Sequence, residues 1–168
     1  MADQRRLNLT DEQAMAMVFA SLEEEARLLK RNPVPEFSAQ PVTKDLLHWT
    51  GTILGPVGSP YEFGNFHLLI DFPKYYSSKW PTMVFKTKVL HPLRNKYGVI
   101  CSVCVRNQIE NTSFLTDYAI LDILQSIRQI FGDPSSSCAH IHVAERTLNP
   151  GPGSYSQTAR EWTKIYAT

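Results

Sequence analysis

Between residues 49 and 72 the apolar side chains fall on every second position. Trp49, Gly51 and Ile53 set one run, and Phe66, Leu68, Ile70 and Phe72 set another. A period of two places each run on one face of an extended chain, so both read as strands with a single buried side. Met83, Phe85 and Val89 continue the pattern. Gly55-Pro56, Gly58-Ser59-Pro60 and Phe72-Pro73 punctuate it with turn chemistry. The segment from Glu36 to Leu90 is therefore predicted to hold four short strands in an antiparallel meander.

Both flanks change to helical spacing. Thr10 can cap a first helix, with Gln13 three residues on as the reciprocal partner of a capping box. Met15, Val18, Phe19, Leu22, Ala26 and Leu29 give its apolar stripe, and Asn32-Pro33 ends it. After the strands, Ile120, Ile123, Leu124, Ile127, Ile130 and Phe131 form a second stripe, closed by Asp133-Pro134. A weaker helical piece spans His142 to Leu148. Asn149-Pro150-Gly151-Pro152-Gly153 breaks the chain. A final helix from Ser154 to Tyr166 is expected to turn Tyr155, Thr158, Ala159, Trp162 and Tyr166 to one side. Helix, then strands, then helices is an α+β order.

The 168 residues suit one domain with a sizeable core. A net charge of +1 leaves no electrostatic footprint for nucleic acid and none for a membrane surface. No apolar run approaches the roughly 20 residues of a spanning helix. Met1 to Ala20 carries Asp3, Asp11 and Glu12 and does not read as a secretory signal. Three cysteines form no disulfide framework. They point to a reducing compartment, cytosol or nucleus, with reduced thiols.

Cys101 lies ten residues after His91-Pro92, in Tyr97-Gly98-Val99-Ile100-Cys101-Ser102-Val103. It is either a thiol nucleophile or a small buried hydrophobe, the commoner fate of cysteine. Cys101-Ser102-Val103-Cys104 is also a C-x-x-C, the spacing of a redox couple or of half a zinc site, and Cys138, His140 and His142 add candidate ligands. A metal site or a reversible disulfide is the alternative these residues leave open, and no metal and no cofactor is expected, since zinc sites usually come as two close pairs with hydrogen-bonding partners behind them.

Taken in order, a set of segments resembles the ubiquitin-conjugating enzyme family. They are Phe37-Ser38-Ala39-Gln40-Pro41-Val42, His48-Trp49, Ile53-Leu54-Gly55-Pro56 and Ser59-Pro60-Tyr61-Glu62-Phe63-Gly64-Asn65-Phe66. Phe72-Pro73, Lys86-Thr87-Lys88, His91-Pro92, Gly98-Val99-Ile100-Cys101 and Ala159-Arg160-Glu161-Trp162-Thr163 follow. No single motif decides the matter, but their order and spacing over most of the chain are specific. The match runs from about Leu22, without a gap to Cys101, with about five extra residues before Phe114. It divides the chain into an N-terminal extension, residues 1–20, and a conjugating domain, residues 21–168.

The resemblance implies an N-terminal helix, a four-stranded antiparallel meander and C-terminal helices, the order read independently above. It implies that Cys101 accepts ubiquitin or a ubiquitin-like protein from an activating enzyme as a thioester, then passes it to a lysine or another thiol. A ligase or scaffold is a further implied partner. Four departures bear on that chemistry. The family's asparagine after His-Pro, credited with supporting the oxyanion, is Leu93 here. Loss of one such donor typically costs on the order of 3–4 kcal/mol. Arg94, Asn95, Asn107 and Asn111 are the nearby donors, and the pattern singles out none of them. The acidic residue that follows Asp-Pro in many members is Cys138, with His140 and His142 beside it. The ligase-contacting aromatic loop reads Tyr76-Ser77-Ser78-Lys79-Trp80-Pro81, leaving Trp80 as core or as a different contact. The first helix, often basic in the family, carries Glu23-Glu24-Glu25, expected as a solvated face. Ser38 matches a serine on the outer face of the sheet. Two readings follow: an atypical conjugating enzyme using Cys101, or a non-catalytic binding or scaffold module of the same fold.

Overall fold

The computed structural model describes residues 10–74, 80–112, 120–132 and 152–168. Helix α1 spans Asp11–Arg31 and opens on the expected capping box. The Thr10 hydroxyl accepts from the Gln13 amide at 3.3 Å, and the Gln13 side chain accepts from the Thr10 amide at 3.0 Å. Two of the first-turn donors that have no intrahelical partner are satisfied in this way. Val18 and Leu22 are buried, with Phe19, Ala26 and Leu29 partly buried against the core. The helix runs through residue 20, so residues 11–20 are the first half of α1.

Strands β1 (Phe37–Pro41), β2 (His48–Leu54), β3 (Asn65–Asp71) and β4 (Thr82–Phe85) form one sheet in sequence order, each pair antiparallel. The alternation predicted the faces. Trp49, Ile53, Phe66, Leu68, Ile70, Met83 and Phe85 point inward. Ser38 faces out, opposite Thr52 in the register. Gly55 is required where it stands: a Cβ there would lie 1.7 Å from the Tyr61 carbonyl oxygen.

Helix α2 covers Ser102–Thr112 and α3 covers Ile120–Gly132. The α3 stripe is buried as expected, from Ile120 to Phe131, and lies across the inner face of the sheet. Gly51 in β2 leaves room for the Leu124 side chain, which a Cβ would meet at 3.4 Å. Helix α4 spans Pro152–Tyr166. Its buried line is Ala159 and Thr163, continued past the helix by Ala167. That line is rotated from the expected face. Trp162 and Tyr166 sit at the edge, where the Lys88 ammonium lies 4.6 Å and 4.8 Å from their ring centres. Such cation–π contacts draw the ammonium to the ring faces by their quadrupoles. The Ala167 carbonyl accepts from the Asn65 amide, joining the C-terminal segment to the start of β3.

The acidic run divides. Glu23 and Glu24 are exposed, Glu24 pairing with Arg27 at 2.7 Å. Glu25 corrects the expectation of a solvated face. It is partly buried, and its carboxylate accepts from the Ile120 amide at the start of α3. Burial, with Asp122 nearby, raises its pKa from 4.5 to about 7, against the lowering effect of the Ile120 amide. Helix α1 thus caps α3 across the fold. Tyr76 to Lys79, Phe114, Cys138, His140 and the weak helix from His142 to Leu148 lie outside the described residues. Trp80 is partly buried and packs on the core.

Candidate active site

The chain from β4 to Cys101 is built around a buried histidine. His91 is 4 % exposed and stacks on Phe131 of α3, with ring centres 4.8 Å apart and planes 14° apart. Tyr61 completes the cluster at 5.2 Å, and its hydroxyl donates to the Leu90 carbonyl at 2.8 Å. His91 Nδ1 accepts the Leu93 amide at 2.8 Å, which fixes the tautomer with the proton on Nε2. Nε2 turns toward the Ile130 carbonyl without completing a hydrogen bond. Burial holds the imidazole neutral by lowering its pKa from 6.5 to about 3. This histidine therefore shapes backbone, and a proton acceptor at neutral pH would have to be another group.

From that corner the chain makes a tight hairpin back to Cys101. The Cys101 amide donates to the Leu93 carbonyl at 2.9 Å, and the Asn95 amide donates to the Val99 carbonyl at 2.9 Å. The Asn95 side-chain oxygen accepts from both the Tyr97 and Val99 amides, at 2.9 Å and 3.0 Å. Gly98 takes the left-handed φ of +84° at the tip, and a Cβ there would lie 2.8 Å from the Phe85 carbonyl oxygen. The returning arm is sewn to β4: Phe85 donates to Gly98, and Ile100 donates to Met83, each at 2.8 Å. The Arg94 guanidinium donates to the Val89 and Asn95 carbonyls and so braces the hairpin base.

Cys101 is half-buried and lies outside any disulfide. Its carbonyl accepts the first helical bond of α2, from the Val105 amide at 3.3 Å, so Cys101 is the N-cap residue of that helix. The amides of Ser102, Val103 and Cys104 make up a first turn without intrahelical acceptors. The sequence reading did not contain this helix. Val105 and Ile109 bury one side of it, Arg106 and Glu110 pair at 2.9 Å, and Gln108 donates to Gln129 of α3 at 3.0 Å.

Leu93 is fully buried, so its side chain joins the core beneath the hairpin. Of the other donors named from sequence, Arg94 and Asn95 are committed to the hairpin as above, and Asn107 is exposed on α2. Cys104 is disulfide-bonded, which corrects the expectation that every thiol is reduced. Among the described residues, no three His, Cys, Asp or Glu side chains gather as a metal site.

A family model described as ubiquitin-conjugating enzyme matches residues 21–163. The chain belongs to the ubiquitin-conjugating enzyme family. The helix–meander–helices architecture is that family's fold, and transfer of ubiquitin-like proteins is the family's activity. The match starts at residue 21, whereas α1 begins at Asp11. The first turns of the helix thus project from the matched domain as continuous, capped structure.

Proposed function

We propose that the chain is a ubiquitin-conjugating transferase of unusual second step, with Cys101 as acyl acceptor. The thiolate of Cys101 attacks the thioester carbonyl of a ubiquitin-like modifier on its activating enzyme. The tetrahedral adduct expels that enzyme's thiolate and leaves the modifier on the Cys101 sulfur. A lysine amine, or a second thiol, then attacks the new thioester and restores Cys101. The single observation that carries this reading is the placement of Cys101. It is a half-exposed thiol at the end of a hairpin fixed by His91, Asn95 and Gly98, inside a chain matched to the family over residues 21–163. The activating enzyme, ubiquitin or a ubiquitin-like protein, and a ligase or scaffold are the partners of this reading. Cytosol and nucleus are its compartments.

The buried Leu93 side chain favours slow transfer to amines. It offers no hydrogen-bond donor, and removal of one oxyanion donor typically slows acyl transfer by about a hundred- to a thousand-fold. Thiol-to-thiol loading depends less on that donor. The same observation favours the second reading, a binding module of this fold that does no chemistry.

A charging assay separates the two. The protein is mixed with activating enzyme, ATP and a panel of ubiquitin-like proteins, then run on a non-reducing gel. The enzyme reading expects a reducible adduct that is lost in Cys101→Ser and kept in Cys104→Ser and Cys138→Ser. Absence of an adduct with every modifier would leave the scaffold reading. Discharge of the loaded protein to free lysine is expected to be slow and to quicken in Leu93→Asn. Rapid discharge by the unsubstituted protein would refute the oxyanion argument.

A further inference from the structure

Between Asp71 and Glu110 the chain carries seven lysines and arginines and no aspartate or glutamate. All 16 carboxylate side chains lie outside that stretch, which holds β4, the His91 corner and the hairpin that presents Cys101. A net charge of +1 therefore conceals a one-sided distribution. The fold engages several of these cations. Lys88 is taken up by the Trp162 and Tyr166 rings, Arg106 pairs with Glu110, and Arg94 donates to the Val89 and Asn95 carbonyls. Lys86 and Lys96 are exposed, and neither has a carboxylate partner among the described residues. The two flank one point. Lys86 follows Phe85, whose amide donates to the Gly98 carbonyl at 2.8 Å, and its own amide donates to the His67 carbonyl at 2.8 Å. Lys96 stands in the turn closed by the bond from the Gly98 amide to the Asn95 carbonyl at 3.0 Å. Its ammonium lies 5.0 Å from the centre of the exposed Tyr97 ring. Both lysines thus rise from backbone fixed at the tip of the hairpin. From Gly98 the arm runs along β4, with Val99 bridged to Val84, and reaches Cys101 after about 10 Å at the rise of an extended chain.

We propose that the hairpin tip is an acceptor-recognition surface, at which Lys86 and Lys96 select acceptor lysines carried in acidic segments of a protein. A lysine among neutral neighbours approaches Cys101 against charge of its own sign. A lysine with carboxylates nearby brings the complementary charge to the tip. The recognised carboxylates lie about three residues from the acceptor lysine, the length of extended peptide that matches the arm from Gly98 to Cys101. The same cations make the incoming ammonium easier to deprotonate, because like charge disfavours its charged form. The ammonium gives one proton to solvent, and the neutral amine attacks the thioester carbonyl. The carbon–sulfur bond breaks as the amide forms, and the nitrogen's next proton goes to the departing Cys101 thiolate. This transfer rests on the role proposed above for Cys101, whereas the recognition of acidic peptide does not. Such complementarity steers and aligns more than it tightens, and it weakens with salt.

The test uses a pair of short peptides with one central lysine, flanked at about three residues by glutamates in one and by glutamines in the other. The whole protein is charged, charging is quenched, and discharge to each peptide is timed. The glutamate peptide is expected to react about fivefold faster in low salt, an advantage that disappears near 1 M salt, where the screening length is about 3 Å. In the double variant Lys86→Glu/Lys96→Glu the glutamate peptide is expected to become the slower of the two. The comparison is made within each protein, so a general loss of activity does not imitate it. Equal rates with the unsubstituted protein, or a preference unchanged in the double variant, overturn the proposal. Amide-shift NMR of the uncharged protein judges the recognition without chemistry. The glutamate peptide is expected to move the Lys86, Lys96, Tyr97 and Gly98 signals, and the double variant to lose that response. No movement at those amides overturns the recognition. A protein that never charges yet shows these shifts defeats the conjugating role alone.

Discussion

The two ends of α3 each meet a buried titratable side chain, and the two meetings are built on opposite terms. At the C-terminal end Phe131 stacks on neutral His91, inside a cluster with Tyr61, Phe66 and Phe85. At the N-terminal end Glu25 reaches from α1 to receive the Ile120 amide. The first joint is aromatic packing that happens to contain an imidazole. The second is a hydrogen bond to a carboxyl group that resists ionisation. Burial opposes the charged form of each group, so it lowers the histidine's pKa and raises the glutamate's. One helix is thus held at its ends by groups whose pH responses run in opposite directions.

The largest effect should come from emptying the aromatic end. Phe131→Ala is expected to cost about 3–5 kcal/mol, because Tyr61, Phe66 and His91 cannot all collapse into the space. Urea denaturation at neutral pH measures it. A loss below about 1 kcal/mol would show that the His91 cluster is not a packing centre.

The second test changes the other end and uses pH. Between pH 4.5 and 7 the native protein keeps a proton on Glu25 that the unfolded chain has released, so the Glu25 contribution falls as pH rises through that window. For His91 the unfolded chain binds the extra proton between pH 3 and 6.5, so its contribution grows with pH there. The two oppose each other from 4.5 to 6.5. Glu25→Gln keeps an oxygen for the Ile120 amide and removes the ionisation. The variant should exceed the parent by roughly 1–3 kcal/mol above pH 7 and match it below pH 4.5. Its stability should climb from pH 3 to 6.5, whereas the parent follows it to pH 4.5 and shows a flatter profile from 4.5 to 6.5. Parallel profiles for the two proteins would remove the contrast between the ends.

The smallest effect belongs to a third titrating group, away from the helix. His48 on the outer face of the sheet pairs with Asp71 at 2.7 Å, which raises its pKa. The help this gives is present below pH 6.5 and lost as pH rises through the raised value. His48→Gln should shift the melting temperature slightly at pH 6, with the shift shrinking at pH 9 and in high salt. A salt-independent shift larger than that of Glu25→Gln would mean that the surface, not the helix ends, dominates the pH response.

Most of the architecture was legible because apolar periodicity is written in side chains. The strand alternation gave both the meander and its inward face, and the α3 stripe gave a buried helix. Helix α2 escaped because Ser-Val-Cys-Val is a poor helical opening with two β-branched residues, and its buried side has only Val105 and Ile109. The Glu25 joint escaped for a different reason: its partner is a backbone amide 95 residues away, which no residue type announces. The candidate site was half legible. Cys101 and the Leu93 departure could be read from letters and spacing. The hairpin that presents Cys101 is held mainly by backbone bonds and by Asn95, which sequence reading had considered only as a stray donor.

The bond from the Asn65 amide to the Ala167 carbonyl carries a consequence for synthesis. Strand β3 leaves the ribosome about a hundred residues before the group that completes its first residue, so the nascent sheet carries an unfilled donor at the start of β3 while α2, α3 and α4 are still being translated. Ala167 is 2 % exposed and Thr163 4 % exposed in the finished molecule. The finished fold therefore includes a contact to the start of β3 that only residue 167 supplies.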